Sequence, residues 1–349
     1  YVRRTCVNNC ISSNNCISII VYSNISASVY ISCITAYVSI SIASSIVVIS
    51  IAGCCWSCCF VIGIIWSGNF IASRYAFQLA GPISLAFFRW SIATITMLPF
   101  ALKNFKKEKQ LFKDNFSYFF WMALVGVAVY NTMIYQAGHY TTAINMALFG
   151  STIHPIVATL LAAWLVQEKL NWKSIAGIIL GIIGILVLLS KGELNTLLHF
   201  KIATGDLWMI GAGVCFGTYN VFVRKKPIGI SNNSFLLVLF SIGTILLCPF
   251  AIYEMNYIQP VLFNKQLLLI ILYLGIGNST IAYLLWNNAI HRMGSAKTAL
   301  FGTLIPFLSS IEALFILNEQ FNIFQIISGV IIVSGIVINT WPSKIKHGT

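Results

Sequence analysis

From Cys54 onward, long apolar runs alternate with short polar connections at regular intervals. An α-helix rises about 1.5 Å per residue, so roughly 20 apolar residues cross the hydrocarbon core of a bilayer. The pattern predicts helices at 55–77, 84–102, 117–138, 142–166, 172–190, 205–223, 233–252, 266–288, 295–317 and 323–341. Short connections make neighbours antiparallel. The expected fold is an all-α integral membrane protein of about ten transmembrane helices.

Within that series one design occurs twice. Ala147 begins ALFGSTIHPIVATLLAAWLVQEKL, and Ala299 begins ALFGTLIPFLSSIEALFILNEQF. Each has an Ala-Leu-Phe-Gly opening, a proline (Pro155, Pro306) and a glutamate thirteen residues later (Glu168, Glu319). A glycine-bearing helix follows each, with Gly177, Gly181 and Gly184 in one and Gly329 and Gly335 in the other. The domains expected are a first five-helix repeat over 54–191, a second over 204–341 and a tail over 342–349. Five is odd, so the second repeat must enter the membrane inverted relative to the first. Inverted repeats place a substrate site near the midplane between the halves.

Composition and charge narrow the class. Of 349 residues, 58% are hydrophobic and 8% charged, against roughly 25% charged in a soluble domain. The net charge of +13 does not indicate nucleic acid, because the basic residues sit in short clusters between apolar runs. Lysines and arginines fall fourteen on one set of loops and four on the other, which predicts that both ends of the ten-helix core are cytoplasmic. The cell (inner) membrane is the expected location.

Residues 1–53 differ: Ser, Ile, Val, Asn and Cys recur in near-repeats, and Arg3 and Arg4 are the only charges. A signal peptide fits poorly, and the Ser/Ile alternation has a strand-like period of two. The stretch reads as a low-complexity leader or an artefactual extension. Eight of the ten cysteines fall at or before Cys59. Cys55 and Cys58 have C-x-x-C spacing, but no second pair or nearby histidine completes a zinc site. No metal and no cofactor is expected.

The pattern resembles the EamA-type transporters of the drug/metabolite transporter superfamily over residues 55–341. The resemblance is carried by Trp66-Ser67-Gly68-Asn69-Phe70, Phe88-Arg89, the two Pro-to-Glu stretches, Gly205-Asp206-Leu207, and Ala282-Tyr283 with Trp286. It implies a ten-helix secondary carrier for amino acids, related metabolites or drugs, working by alternating access and often exporting. The alternatives are a nucleotide-sugar or other metabolite carrier of the same superfamily, or a receptor or assembly protein that does not transport.

Polar side chains at membrane depth are costly and so need a reason. Trp66 and Asn69 share a helix face, as do Asn131 and Tyr135 beside Tyr130, and Tyr283, Trp286 and Asn287. With Tyr219 and Asn220 they would form an aromatic and amide lining from the first, third, sixth and eighth helices. Packing and interhelical hydrogen bonds are the competing explanation. Pro155 and Pro306 are hinge candidates or static kinks. His154 and Glu312 are candidates for proton coupling or satisfied contacts. Arg89 would attract an anionic group or snorkel to the interface. Glu168 and Glu319 match the family's motif acids, and their place at helix ends points to structure or gating. Gly177-x-x-x-Gly181 and Gly213-x-x-x-Gly217 would serve a homodimer or packing within one chain. The partners expected are a small-molecule substrate and the lipid bilayer, and no nucleic acid. No HExxH, GxSxG or P-loop motif is present, so an enzyme is not expected.

Overall fold

The computed structural model describes residues 55–168, 172–190, 193, 202–317 and 323–340. The expectations for 1–53 and for the tail lie outside the described residues. Among those residues the chain forms ten helical rods. They are α1 (Cys55–Ala76), α2 (Pro82–Asp114), α3 (Phe116–Tyr140), α4 (Ala143–Leu165), α5 (Trp172–Ser190), α6 (Thr204–Val223), α7 (Asn232–Tyr257), α8 (Lys265–Met293), α9 (295–317) and α10 (Ile323–Thr340).

Eight of these, α2 to α8 and α10, are long and apolar enough to cross a membrane. α1 holds a shorter apolar stretch, Ser57–Phe70. α9 is interrupted by a 3-10 turn at Phe301–Thr303. α2 runs well past the expected end at 102, for 33 residues, or roughly 50 Å at the helical rise. No breaker follows Leu102, so the basic stretch Lys103–Lys113 continues the same helix beyond bilayer thickness.

Lipid replaces water as the solvent of the outer surface, and the helices are sided accordingly. Ile175, Ile179, Ile183 and Leu186 of α5 are exposed, whereas its Gly177, Gly181 and Gly184 are buried. Trp121, Tyr140, Trp164, Trp172, Tyr253 and Tyr257 lie exposed at or near helix ends, where amphipathic rings suit the headgroup region.

The halves interlock in matching pairs. α5 packs along α10, α2 along α7, α6 against α3 and α4, and α1 against α8 and α9. Each half's first helix is thus seated on the third and fourth helices of the other half. α3 and α8 both widen into π-helical stretches, Leu124–Val129 and Tyr273–Ile281. Val129 and Ile281 are as far apart in sequence as Ala147 and Ala299. The close approaches also match: a Cβ on Gly243 of α7 would meet Val127, and one on Gly275 of α8 would meet Ile92 of α2. Both small-residue stripes are used inside the chain. Gly213 and Gly217 admit Ile153 and Val157 of α4, and Gly177 and Gly181 admit Gly335, Asn339 and Thr303.

Two glutamates join α2 and α7 at opposite ends. Glu254 of α7, buried, accepts hydrogen bonds from Ser84 N (2.7 Å), Ser84 Oγ (2.7 Å) and Ile83 N (3.3 Å) at the start of α2. Glu108 of α2 accepts from Ser231 N (3.1 Å) and Ser231 Oγ (3.3 Å) at the start of α7. A helix N-terminus leaves N–H groups unpaired and carries a positive pole, and a carboxylate answers both. Gly81 makes room for Glu254, since a Cβ there would run into the Glu254 carboxylate.

Candidate functional site

Between the halves lies a cavity of about 30 Å³, room for a water or two. Its walls come from α1, α2, α3, α4, α6, α8 and α9, and its polar groups are Asn69, Arg89, Asn131, Ser151, His154 and Asn278. Trp66, Phe70, Tyr130, Phe216 and Tyr283 supply its rings. Phe216 is the hub of these. It stacks on Tyr130 with centroids 4.7 Å apart and meets Trp66 edge-on at 5.4 Å.

Arg89 is at the polar side of this space. Seven residues into α2, it turns inward and is 2% exposed, which rules out snorkelling. Nε donates to Ser279 Oγ (2.6 Å), and Nη1 donates to Asn69 Oδ1 (3.1 Å) and Tyr135 Oη (2.8 Å). Nη2 reaches the Asn278 carbonyl at 3.5 Å, and the guanidinium lies over the Trp90 ring at 5.1 Å. Every one of these partners is neutral. The Arg224–Glu168 ion pair belongs to a different cavity. Asn278 and Ser279 reach Arg89 because they sit in the π-helical stretch of α8.

The residues expected to line a site divide into two groups. Trp66, Asn69, Tyr130, Asn131 and Tyr283 do line the cavity, while Tyr135 backs it by holding Arg89. Tyr219, Asn220, Trp286 and Asn287 pair with one another instead. Trp286 Nε1 donates to Asn220 Oδ1 (2.7 Å), and Tyr219 Oη donates to Asn287 Oδ1 (3.0 Å). These bonds tie α6 to α8, as the packing explanation holds. Phe216, Asn278 and Ser279 were not singled out from sequence. Phe216 lies three residues before Tyr219 on the same face, and Gly277-Asn278-Ser279-Thr280 is a polar run inside an apolar helix, so both carried a signal.

His154 lies on α4 at the cavity wall. Its Nδ1 is 2.7 Å from Gly150 O and its Nε2 is 3.0 Å from Ala299 O on α9. A neutral imidazole has one N–H, so only the protonated ring donates to both carbonyls. Glu312 of α9 is off the cavity, with Oε1 2.5 Å from Ser67 Oγ of α1. Ser67 Oγ is also 2.7 Å from Ile64 O. Its single hydrogen can serve one of these two acceptors at a time.

Pro155 lies inside the continuous helix α4, whereas Pro306 follows the 3-10 turn that interrupts α9. Glu168 follows α4, directed back by Gln167 in a left-handed conformation (φ 54°). Its oxygens accept from Ser295 N (3.2 Å) and Ala296 N (3.5 Å) at the start of α9 and pair with Arg224 Nη1 (3.4 Å). This cluster edges a second cavity of about 210 Å³, lined also by Thr159, Ser174 and Lys297. Glu319 lies outside the described residues. Asp206 is a staple rather than a lining group: it accepts from Ala203 N (2.8 Å) and Thr141 Oγ1 (2.6 Å).

The profile of the EamA-like transporter family matches residues 51–190 and again 203–341. The chain belongs to that family. An EamA-like transporter is an integral membrane protein, and the double match is the repeat read from the two Pro-to-Glu stretches. Among similar curated proteins is an uncharacterised transporter of Archaeoglobus fulgidus, 30% identical over 79% of this chain and 94% of its own length. An uncharacterised transporter of Bacillus subtilis is 25% identical over 82% and 93%, and a WAT1-related protein of Arabidopsis thaliana is 25% identical over 73% and 76%. A solved crystal structure shares the fold with a TM-score of 0.67 at 19% identity, over 84% of this chain and 98% of that one. The family and the first two of these relatives are named as transporters.

Proposed function

We propose that this EamA-like chain exports a small metabolite or drug by alternating access through the cavity beside Arg89. The observation that carries the reading is a polar, ring-lined cavity on the seam between two inverted halves. Ligand pockets are usually about 300–1,000 Å³, so a cavity of about 30 Å³ corresponds to a contracted state. Opening requires movement of one half against the other. The interhalf contacts at Glu168–Ser295 and Ser67–Glu312 are where that movement would be felt, with the 3-10 turn before Pro306 as a hinge. The lysine and arginine distribution supports cytoplasmic ends.

Proton coupling fits the same contacts. A protonated His154 would join Gly150 O to Ala299 O, and its deprotonation would loosen α4 from α9. No charged side chain contacts the ring among the described residues; Phe216 meets it edge-on at 5.5 Å. At Glu312, a protonated carboxyl would donate to Ser67 Oγ and free the serine hydrogen for Ile64 O, while an ionised one would accept it.

Flux of a labelled amino-acid, nucleoside and drug panel in proteoliposomes, with and without a pH gradient, tests both statements. Saturable, gradient-driven flux that becomes gradient-independent in Glu312→Gln or His154→Ala supports carrier and coupling. Flux indifferent to the gradient in the unaltered chain refutes the coupling alone. No flux for any compound refutes the carrier.

A further inference from the structure

We infer that the second cavity, the one edged by Glu168, is a binding site for a phosphate-type oxyanion. Four helices converge on it. Thr159 of α4 and Ser174 of α5 come from the first half, and Arg224 at the end of α6 and Lys297 of α9 from the second. No residue that lines it also lines the cavity beside Arg89. Its volume of about 210 Å³ is room for several waters or one small polyatomic ion.

Two observations point to an anion. Thr159 is 4% exposed, and its buried hydroxyl has no hydrogen-bond partner. Thr152 of the same helix and Thr218 of α6 each donate to the carbonyl one turn back, whereas Thr159 leaves its hydrogen unspent, which costs stability until a ligand accepts it. The charges are the second observation. Glu168 accepts from Ser295 N and Ala296 N and pairs with Arg224, so one carboxylate cannot also take all five N–H groups of that guanidinium. Lys297 has no ion-pair partner among the described residues. Arg224 and Lys297 against Glu168 leave this wall one positive charge in excess. An ammonium, a guanidinium and two hydroxyls approach from four helices. A tetrahedral oxyanion has acceptors for donors in that many directions; a carboxylate is planar, and chloride has no directional lone pairs. An ion held this way would bond both halves at once, so its binding would favour the contracted state. That consequence for flux rests on the carrier reading, and the binding itself does not.

The test uses the full chain in uncharged maltoside micelles, with inorganic phosphate, sulfate and chloride as probes at equal ionic strength, with and without added phosphatidylglycerol. Expected is thermal stabilisation by phosphate and sulfate and not by chloride. Thr159→Val and Lys297→Gln should each weaken phosphate binding about tenfold or more. Without anion the valine variant should unfold no earlier than the unaltered chain, since it removes a hydroxyl that nothing satisfies; a threonine needed only for packing would lose stability in every buffer. A phosphate response that survives phosphatidylglycerol identifies a free oxyanion as the occupant. Stabilisation by phosphatidylglycerol that abolishes the phosphate response, and is itself lost in both variants, identifies a lipid headgroup phosphate. Equal stabilisation by chloride and phosphate, a response unchanged in both variants, or no response to phosphate or phosphatidylglycerol overturns the inference. Should the variants not fold, the phosphate-against-chloride comparison in the unaltered chain decides alone. In proteoliposomes, phosphate should slow the flux of whichever panel compound is carried, and not in Lys297→Gln; flux indifferent to bound phosphate overturns the bridging of the halves. Flux of nothing removes the carrier and leaves the site to the binding measurements.

Discussion

The carboxylate of Glu254 should be among the most stabilising polar groups in the chain, and its dependence on Gly81 makes the point testable. Glu254→Ala removes three hydrogen bonds and leaves the N–H groups of Ile83 and Ser84 without their acceptor, at a place where Ser84 is fully buried. A bond to a charged group contributes about 1.5–3 kcal/mol, and an orphaned buried donor costs about 1–3 kcal/mol. One of the three contacts is long, so about 3 kcal/mol is expected for the alanine variant. Glu254→Gln keeps an acceptor but not the charge, and should lose about half of that. Gly81→Ala needs no change in backbone, since Gly81 has φ −65°, yet its new Cβ would occupy the carboxylate's position. It should cost about 2 kcal/mol by displacing the same bonds. The two losses have one cause, so the double variant should be no less stable than Glu254→Ala, a coupling of about 2 kcal/mol. Denaturant unfolding in micelles, followed by tryptophan fluorescence, measures all four corners of the cycle. Additive losses, or a glutamine variant as unstable as the alanine one, would show that the clamp is not what holds α2 to α7.

Other substitutions test other contacts. Glu168→Gln breaks a partly exposed ion pair worth about 0–1 kcal/mol, so unfolding should barely change while the flux rate shifts; unaltered flux would remove Glu168 from gating. Gly217→Val places methyl groups against Val157, whose Cβ is 2.7 Å from the position a Cβ would take, and should destabilise by about 1–3 kcal/mol, read as a lower unfolding midpoint. Trp286→Phe strips Asn220 Oδ1 of its donor and should cost about 1–3 kcal/mol, with Asn220→Leu partly restoring stability in the double variant.

What was legible in the sequence follows from what the bilayer enforces. Lipid compels helices and apolar outer faces, so spans, repeat and family could be read from hydropathy and from the Pro-to-Glu stretches. Helix α2 overran its expected end because hydropathy marks where the membrane stops, not where the helix does. The cavity was harder to read. Trp66 and Asn69 share a face and both line it, but Trp286 and Asn287 share a face and are spent on Asn220 and Tyr219. That difference depends on which helices of opposite halves meet, and no local pattern encodes it. Arg89 could be seen as a costly charge, whereas its inward turn depends on Ser279, 190 positions away. Asn278 and Ser279 escaped because a π-helical stretch carries an i→i+5 repeat, which shifts residues off the faces that a period of 3.6 assigns.

The seating of α1 on α8 and α9, and of α6 on α3 and α4, bears on how such a chain could arise and be taken apart. Neither half encloses its own interior: the wedge that fills each is supplied by the other. A gene encoding one half alone would therefore yield a protomer completed by a second copy threaded through the bilayer in the opposite sense, a dual-topology pair. By the same reasoning, cutting the chain between Ser190 and Thr204 should leave two pieces that assemble when made together and that are each degraded when made alone.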